Sequence, residues 1–156
     1  MGVILYAEDD ENDAFLVQHA FAQAAITQRL IVVPDGRFAI DYLASQGAYA
    51  DREQYPLPRL VLLDLKMPGV SGLEVLQWMR RTPQVSTLVA VMLTSSNQEA
   101  DIRRAYAAGA NGYLVKPGRI EDIITMARAV KDYWLTHNRV CFGPPADRES
   151  GPTGRI

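Results

Sequence analysis

Leu60-Val61-Leu62-Leu63-Asp64-Leu65-Lys66-Met67-Pro68-Gly69 decides the fold. Four consecutive apolar residues bounded by Pro-Gly read as a short strand covered on both faces, the pattern of a parallel sheet. Asp64 then stands at the C-terminal tip of that strand, where open α/β sheets gather ligands and chemistry. Three other places repeat the arrangement. Val3-Ile4-Leu5-Tyr6 runs into Glu8-Asp9, Val89-Ala90-Val91-Met92-Leu93 into Thr94, and Tyr113-Leu114-Val115 into Lys116. An acid pair, a lone acid, a hydroxyl and a lysine at successive strand ends describe one site. Such a site can hold a divalent cation and receive a phosphoryl group.

Between these strands lie amphipathic segments. The pattern predicts helices over about 11–25, 38–44, 72–80, 98–108 and 120–136, with a short strand over 30–33 closed by Pro34-Asp35-Gly36. Asp10 or Asn12 is available to cap the first helix, and Gly109 ends the fourth. Five βα units demand a parallel sheet with right-handed crossovers and helices on both faces. The segment 45–59, with Tyr49, Tyr55, Pro56 and Pro58, is long for a βα connection and reads as a solvated excursion rather than a partner-binding loop. After Asn138 the periodicity dissolves into Gly143-Pro144-Pro145 and Gly151-Pro152-Thr153-Gly154. The expected organisation is one domain over 1–138 and a disordered tail over 139–156.

The whole composition agrees with a globular domain. The 156 residues are 48% hydrophobic and 22% charged, with net charge −2. A chain of this size buries roughly 70% of its unfolded surface and needs no staples. The acidic balance leaves no electrostatic footprint for nucleic acid or an anionic membrane, and no stretch is long enough to span a bilayer. The single cysteine, Cys141, excludes an internal disulfide and suits a reducing compartment, so a cytoplasmic location is expected. His19 and His137 have no partners at ligand spacing.

The chemistry of the four strand ends is specific only in combination. Taken singly, acids before a helix are commonly caps, Asp64 or Thr94 a turn residue, and Lys116-Pro117 a strand terminator. Together they suit Mg²⁺, which wants a few hard oxygens and keeps several waters. Asp9 and Asp64 supply carboxylates, the Lys66 backbone carbonyl a third protein oxygen, and Glu8 acts through a bound water. A cation is needed because transfer of a phosphoryl group to a carboxylate brings anions together. Lys116 then offers a point charge and Thr94 a hydroxyl to the phosphoryl oxygens.

This constellation resembles the receiver domains of two-component response regulators. The resemblance rests on Glu8-Asp9, Asp64 within Asp-Leu-Lys-Met-Pro-Gly, Thr94-Ser95, Lys116-Pro117 and the run Ala107 to Pro117, and covers about residues 2–137. It implies a CheY-like, doubly wound (βα)5 flavodoxin-like fold with strand order 2-1-3-4-5. It implies that Asp64 is the phosphoacceptor, that Glu8, Asp9, Asp64 and the Lys66 carbonyl hold Mg²⁺ (with Mn²⁺ able to substitute), and that Thr94 and Lys116 contact the phosphoryl group. A cis peptide is implied between Lys116 and Pro117, and a Thr94–Tyr113 switch pair. Two departures stand out. Lys66, two residues after the acceptor, occupies a position that tunes dephosphorylation in the family, and Gly118 replaces a bulkier apolar residue.

The long loop before the third strand and the extended last helix are similar to single-domain regulators that partner phytochrome histidine kinases. The resemblance therefore implies a stand-alone regulator rather than an enzyme. Its partners would be a sensor histidine kinase or phosphotransfer protein, and a second copy bound through the fourth helix, fifth strand and fifth helix. Two other classes compete. A phosphohydrolase using Asp64 as nucleophile wants a second acid where Lys66 stands, and a pseudo-receiver has lost an acid or the lysine, whereas here all are present.

Overall fold

The computed structural model describes residues 2–142. Five parallel strands form one sheet in the order β2-β1-β3-β4-β5: β1 Val3–Ala7, β2 Arg29–Val33, β3 Leu60–Leu63, β4 Ala90–Thr94 and β5 Gly112–Val115. The pairing is in simple register, with Ala7 beside Val33 and Leu63, Leu63 beside Met92, and Thr94 beside Val115. All C-terminal strand tips consequently end on one rim, and they bring Glu8, Asp64, Thr94 and Lys116 with them. The ladder continues one step past the strands: Glu8 N–H donates to the Val33 carbonyl, Asp64 N–H to Ala7, and Lys116 N–H to Thr94. The site residues are therefore fixed by sheet hydrogen bonds rather than left on free loops.

Helices α1 Glu11–Gln23 and α5 Ile120–Val130 cover one face, and α2 Gly36–Leu43, α3 Gly72–Arg81 and α4 Glu99–Ala107 the other. Each strand alternates its side chains between the two layers. Ile4, Tyr6, Leu60, Leu62, Val91 and Leu93 pack beneath α1 and α5, while Leu5, Ala7, Val61, Leu63 and Met92 pack beneath α2 and α3. Asp10 caps α1, Asp35 caps α2 and Ser71 caps α3, each accepting from a backbone N–H three residues on.

Three features differ from the expectations. The 45–59 segment is packed rather than solvated: Tyr42, Tyr49 and Tyr55 meet one another in tilted and edge-to-face contacts at centroid distances of 5.2–5.9 Å. The Tyr42 hydroxyl donates to the Pro56 carbonyl. The Arg52 guanidinium there donates to the carbonyls of Tyr42 and Leu43, satisfying the C-terminus of α2. These three rings and one arginine, spread over fourteen positions, have no periodicity a sequence reading would detect. Helix α5 extends as a π-helical turn over Lys131–His137, where the Asn138 N–H reaches the Tyr133 carbonyl. Beyond it, 139–142 have no regular structure but run along the strand-entry end of the sheet. Arg59 donates to the Asn138 carbonyl and Thr87 to that of Cys141. The remainder of the expected tail, 143–156, lies outside the described residues.

Candidate functional site

The acidic pocket is built from the tips of β1 and β3, and Lys116 from β5 closes over it. Carboxylate oxygens of Glu8, Asp9 and Asp64 all lie within 4.8 Å of one another. Glu8 and Asp64 are buried and Asp9 is exposed. Three hard anionic oxygens converging this closely, one of them open to water, are a donor set that fits a small divalent cation. Each of the other anchoring contacts has a local cause. Glu8 Oε1 accepts from the Asp10 N–H at 3.0 Å, and its Oε2 from the buried Tyr6 hydroxyl at 3.1 Å. Asp64 Oδ1 accepts from the Lys66 N–H at 3.3 Å, which keeps the carboxylate folded back over its own turn.

Lys116 Nζ makes three contacts: 2.5 Å to Glu8 Oε2, 2.9 Å to Asp13 Oδ2 and 3.0 Å to Asp64 Oδ2. An ammonium has three N–H donors, so every one is matched by a carboxylate. Its side chain is only 9% exposed. The ion pairs outweigh the cost of burial and raise its pKa above the ordinary lysine value. Burial also pushes the Glu8 carboxyl up, helped by the Asp64 anion beside it, to about 7. Burial works the same way on Asp64, but the proton on Glu8, the Lys116 ammonium and the Thr94 hydroxyl together hold Asp64 below the usual carboxylate range. The pocket therefore keeps Asp64 ionised and lets Glu8 carry the proton when no dication is present.

The peptide bonds of the described residues are all trans, so the cis Lys116–Pro117 bond implied by the family resemblance is absent here. An X–Pro bond favours trans by about 0.5–1 kcal/mol. In that trans linkage Lys116 reaches all three carboxylates.

The two residues of the expected switch pair each hydrogen-bond to a third residue, Ser96. Thr94 is buried, and its hydroxyl accepts weakly from the Ser96 N–H at 3.5 Å. The Tyr113 hydroxyl donates to the Ser96 carbonyl at 2.8 Å, with its ring half-buried. Ser96 Oγ in turn donates to Asp101 on α4 at 2.5 Å. An open cleft of about 360 Å³ reaches Asp64 from this side, lined by Lys66, Thr94, Ser95, Ser96, Asn97 and Gln98. A second cleft of about 260 Å³ lies between α1 and α5 and is lined by Asp13, Leu16, Lys116, Pro117 and Ile123 among others. Ser95 lines both clefts, whereas Lys116 lines the second and Asp64 the first.

Every strand-end residue expected from the sequence comes to this rim. Sequence reading missed Asp13, Tyr6 and Ser96. Asp13 sits in the first turn of α1, where acids are common for reasons of helix polarity alone.

Comparisons with known proteins agree with this geometry. Residues 4–128 match the response regulator receiver domain family. The chain is 39% identical over 137 residues to the probable methanogenesis regulatory protein FilR2 of Methanothrix harundinacea, covering 88% of this chain and 86% of that protein. It is 36% identical over 133 residues to response regulator Rcp1 of Synechocystis, covering 85% and 88%. The crystal structure of Mn²⁺-bound Rcp1 superposes with a TM-score of 0.80 at 34% identity, over 90% of this chain and 99% of that one. The phosphorylated cyanobacterial phytochrome response regulator RcpA superposes with a TM-score of 0.82 at 29% identity, over 89% and 97%. With the acids, the hydroxyl and the lysine at the strand tips of a five-stranded parallel sheet in the order 2-1-3-4-5, this chain belongs to the receiver-domain family of two-component response regulators.

Proposed function

We propose that this protein accepts a phosphoryl group on Asp64 from a histidine kinase or phosphotransfer protein, in a reaction that requires Mg²⁺. The observation that carries this reading is the Lys116 ammonium poised 3.0 Å from Asp64 Oδ2, beside a carboxylate trio. In the transfer an Asp64 oxygen forms a new O–P bond as the donor's N–P or O–P bond breaks, and the donor's imidazole or carboxylate leaves. Glu8, Asp9, Asp64 and the Lys66 carbonyl would hold the dication, which offsets the charge of the meeting anions. Both Glu8 oxygens already accept hydrogen bonds, which favours contact through a water for that residue. The ionised Asp64 supplies the attacking lone pair, and Lys116 and Thr94 receive the phosphoryl oxygens. The exposed Lys66 lies in the entry cleft, where it would tune the lifetime of the adduct.

Output would pass through Thr94 and Tyr113, with Ser96 between them, to the α4-β5-α5 face. Support comes from its thin cover: α4 buries little beyond Ala105, and Tyr106 and Val115 are 51% and 40% exposed. Such a face suits a partner or a second copy of the chain. A signalling role without turnover, a cytoplasmic setting, and no direct contact with nucleic acid or membrane complete the reading. Among the described residues no helix is long and apolar enough to cross a membrane. The phytochrome link of RcpA makes a phytochrome-type kinase the first donor to try.

Intact mass after incubation with acetyl phosphate and Mg²⁺ tests the reading. One phosphoryl group should be gained, dependent on the metal and absent in Asp64→Asn. A folded, metal-loaded wild-type protein with no adduct overturns it. Sizing chromatography with and without beryllofluoride checks dimerisation on the same sample.

The raised pKa of Glu8 gives a second test. Its protonated form stabilises the metal-free fold fully below the usual value of 4.5, and that contribution is lost as pH rises through about 7. The melting temperature in EDTA should therefore fall between about pH 5 and about pH 8. Mg²⁺ should raise it most at the upper end, where the dication replaces the lost proton. A flat profile in EDTA would contradict the assigned protonation.

A further inference from the structure

We propose that Asp13 is a positioning residue for Lys116: it draws the ammonium toward α1 and so keeps the metal-binding carboxylates and the acceptor open. This deepens the phosphoryl-acceptor reading and rests on it for its consequence, though not for its test.

Three observations carry it. Lys116 Nζ is shared among three carboxylates, and the distances to Asp13 and Asp64, 2.9 and 3.0 Å, differ by a tenth of an ångström. Asp13 comes from α1, not from a strand tip, so its pull is directed out of the carboxylate trio. The two clefts divide along the same line: Asp13 and Lys116 line the one between α1 and α5, whereas Asp64 lines the one through which a donor would approach.

The physical consequence has a definite sign. A dication and an ammonium compete for the oxygens of Glu8 and Asp64, because like charges on one carboxylate repel. When the dication enters, the ammonium must give ground. Asp13 offers it a ready acceptor a short swing away, within the same hydrogen-bonding reach. With Asp13 neutralised, two carboxylates instead of three hold Lys116, and both belong to the metal and acceptor site. Metal binding weakens. Transfer slows as well, because the Asp64 lone pair that must form the O–P bond, as acetate leaves acetyl phosphate, is more firmly tied to the ammonium.

Isothermal titration with Mg²⁺ at about pH 8, where Glu8 is mostly ionised, tests this on full-length wild type, Asp13→Asn, Asp13→Glu, Lys116→Met and the Asp13→Asn/Lys116→Met double variant. Asp13→Asn should weaken Mg²⁺ binding about three- to tenfold, the size of one half-exposed charge-assisted hydrogen bond. Asp13→Glu should restore most of the loss. In the Lys116→Met background the same Asp13→Asn change should shrink to less than about twofold, the coupling that marks action through the lysine. An equal loss in both backgrounds makes Asp13 a plain through-space charge and overturns the proposal, as does no loss with Lys116 present. Acetyl phosphate then separates the two readings. If coupling is found but wild type gains no phosphoryl group, the acceptor function fails and the positioning stands. If wild type is phosphorylated but no coupling is found, the reverse holds.

Discussion

Lys116→Met should move two properties in opposite directions: tighter binding of Mg²⁺ and a phosphoryl uptake slowed about a hundredfold. The side chains are similar in volume, so packing between α1 and α5 is kept while the charge is removed. Without the ammonium the dication has no competitor for Glu8 and Asp64, and its affinity should rise several-fold by about the coupling of one close charge pair. Uptake falls because a preorganised donor aimed at the incoming phosphoryl oxygens is gone, a loss of about 10²–10³ in comparable sites. Calorimetry with Mg²⁺ and stopped incubations with acetyl phosphate, read by intact mass, measure the two separately. In EDTA the same variant should be less stable than wild type above about pH 7, because Glu8, Asp13 and Asp64 are left without their shared cation and a broken buried pair costs about 3–5 kcal/mol. Added Mg²⁺ should recover much of that difference. A variant that lost affinity for the metal would show that Lys116 supports the cation site instead of competing for it.

Gly72→Ala should be the most damaging of the glycine-to-alanine changes among the described residues. Gly72 opens α3 directly beneath the turn that follows Asp64, and its N–H donates to the Leu65 carbonyl. A Cβ there would lie 1.9 Å from the Asp64 carbonyl oxygen and 2.8 Å from its carbon. Both obstacles are backbone, so neither can swing aside. Either α3 withdraws from the sheet or the Asp64 peptide is displaced, and each route disturbs the acceptor. Overpacking of this kind costs about 3 kcal/mol or more, equivalent to a fall of roughly 6–12 °C in melting temperature for a domain of this size. Thermal unfolding gives the first number and Mg²⁺ titration the second, since the metal oxygens should no longer converge. A melting temperature within about 2 °C of wild type, with metal binding kept, would mean that the helix start yields without cost.

How much of this was legible beforehand follows from where the determinants sit. Glu8, Asp64, Thr94 and Lys116 were readable because each ends a short apolar run, and a parallel sheet must place such ends on one rim. Strand order followed from the family resemblance, and pairing of β1 with both β2 and β3 bears it out. What escaped notice depends on contacts between elements distant in the chain. Arg80 is the clearest case: from α3 it donates to the carbonyls of Ser86, Leu88 and Gly109 and to Asn111, stitching the loops before β4 and β5. In sequence it is one charged residue among others near a helix end. The Tyr42–Tyr49–Tyr55 cluster escaped for the same reason, since aromatic contacts across a loop leave no period. At the start of the expected tail the Cys141 carbonyl accepts from Thr87, a main-chain contact that leaves no pattern in the sequence.

That last contact has a practical bearing. The only cysteine of the sequence is exposed, and its carbonyl is held by Thr87, which precedes β4 at the end of the sheet away from the acidic rim. A thiol-reactive dye or spin label therefore attaches at one place, on a segment with a defined seat, and a sheet's length from Asp64. Binding to a kinase or to a second copy becomes readable by fluorescence or spin relaxation with the chemistry left untouched.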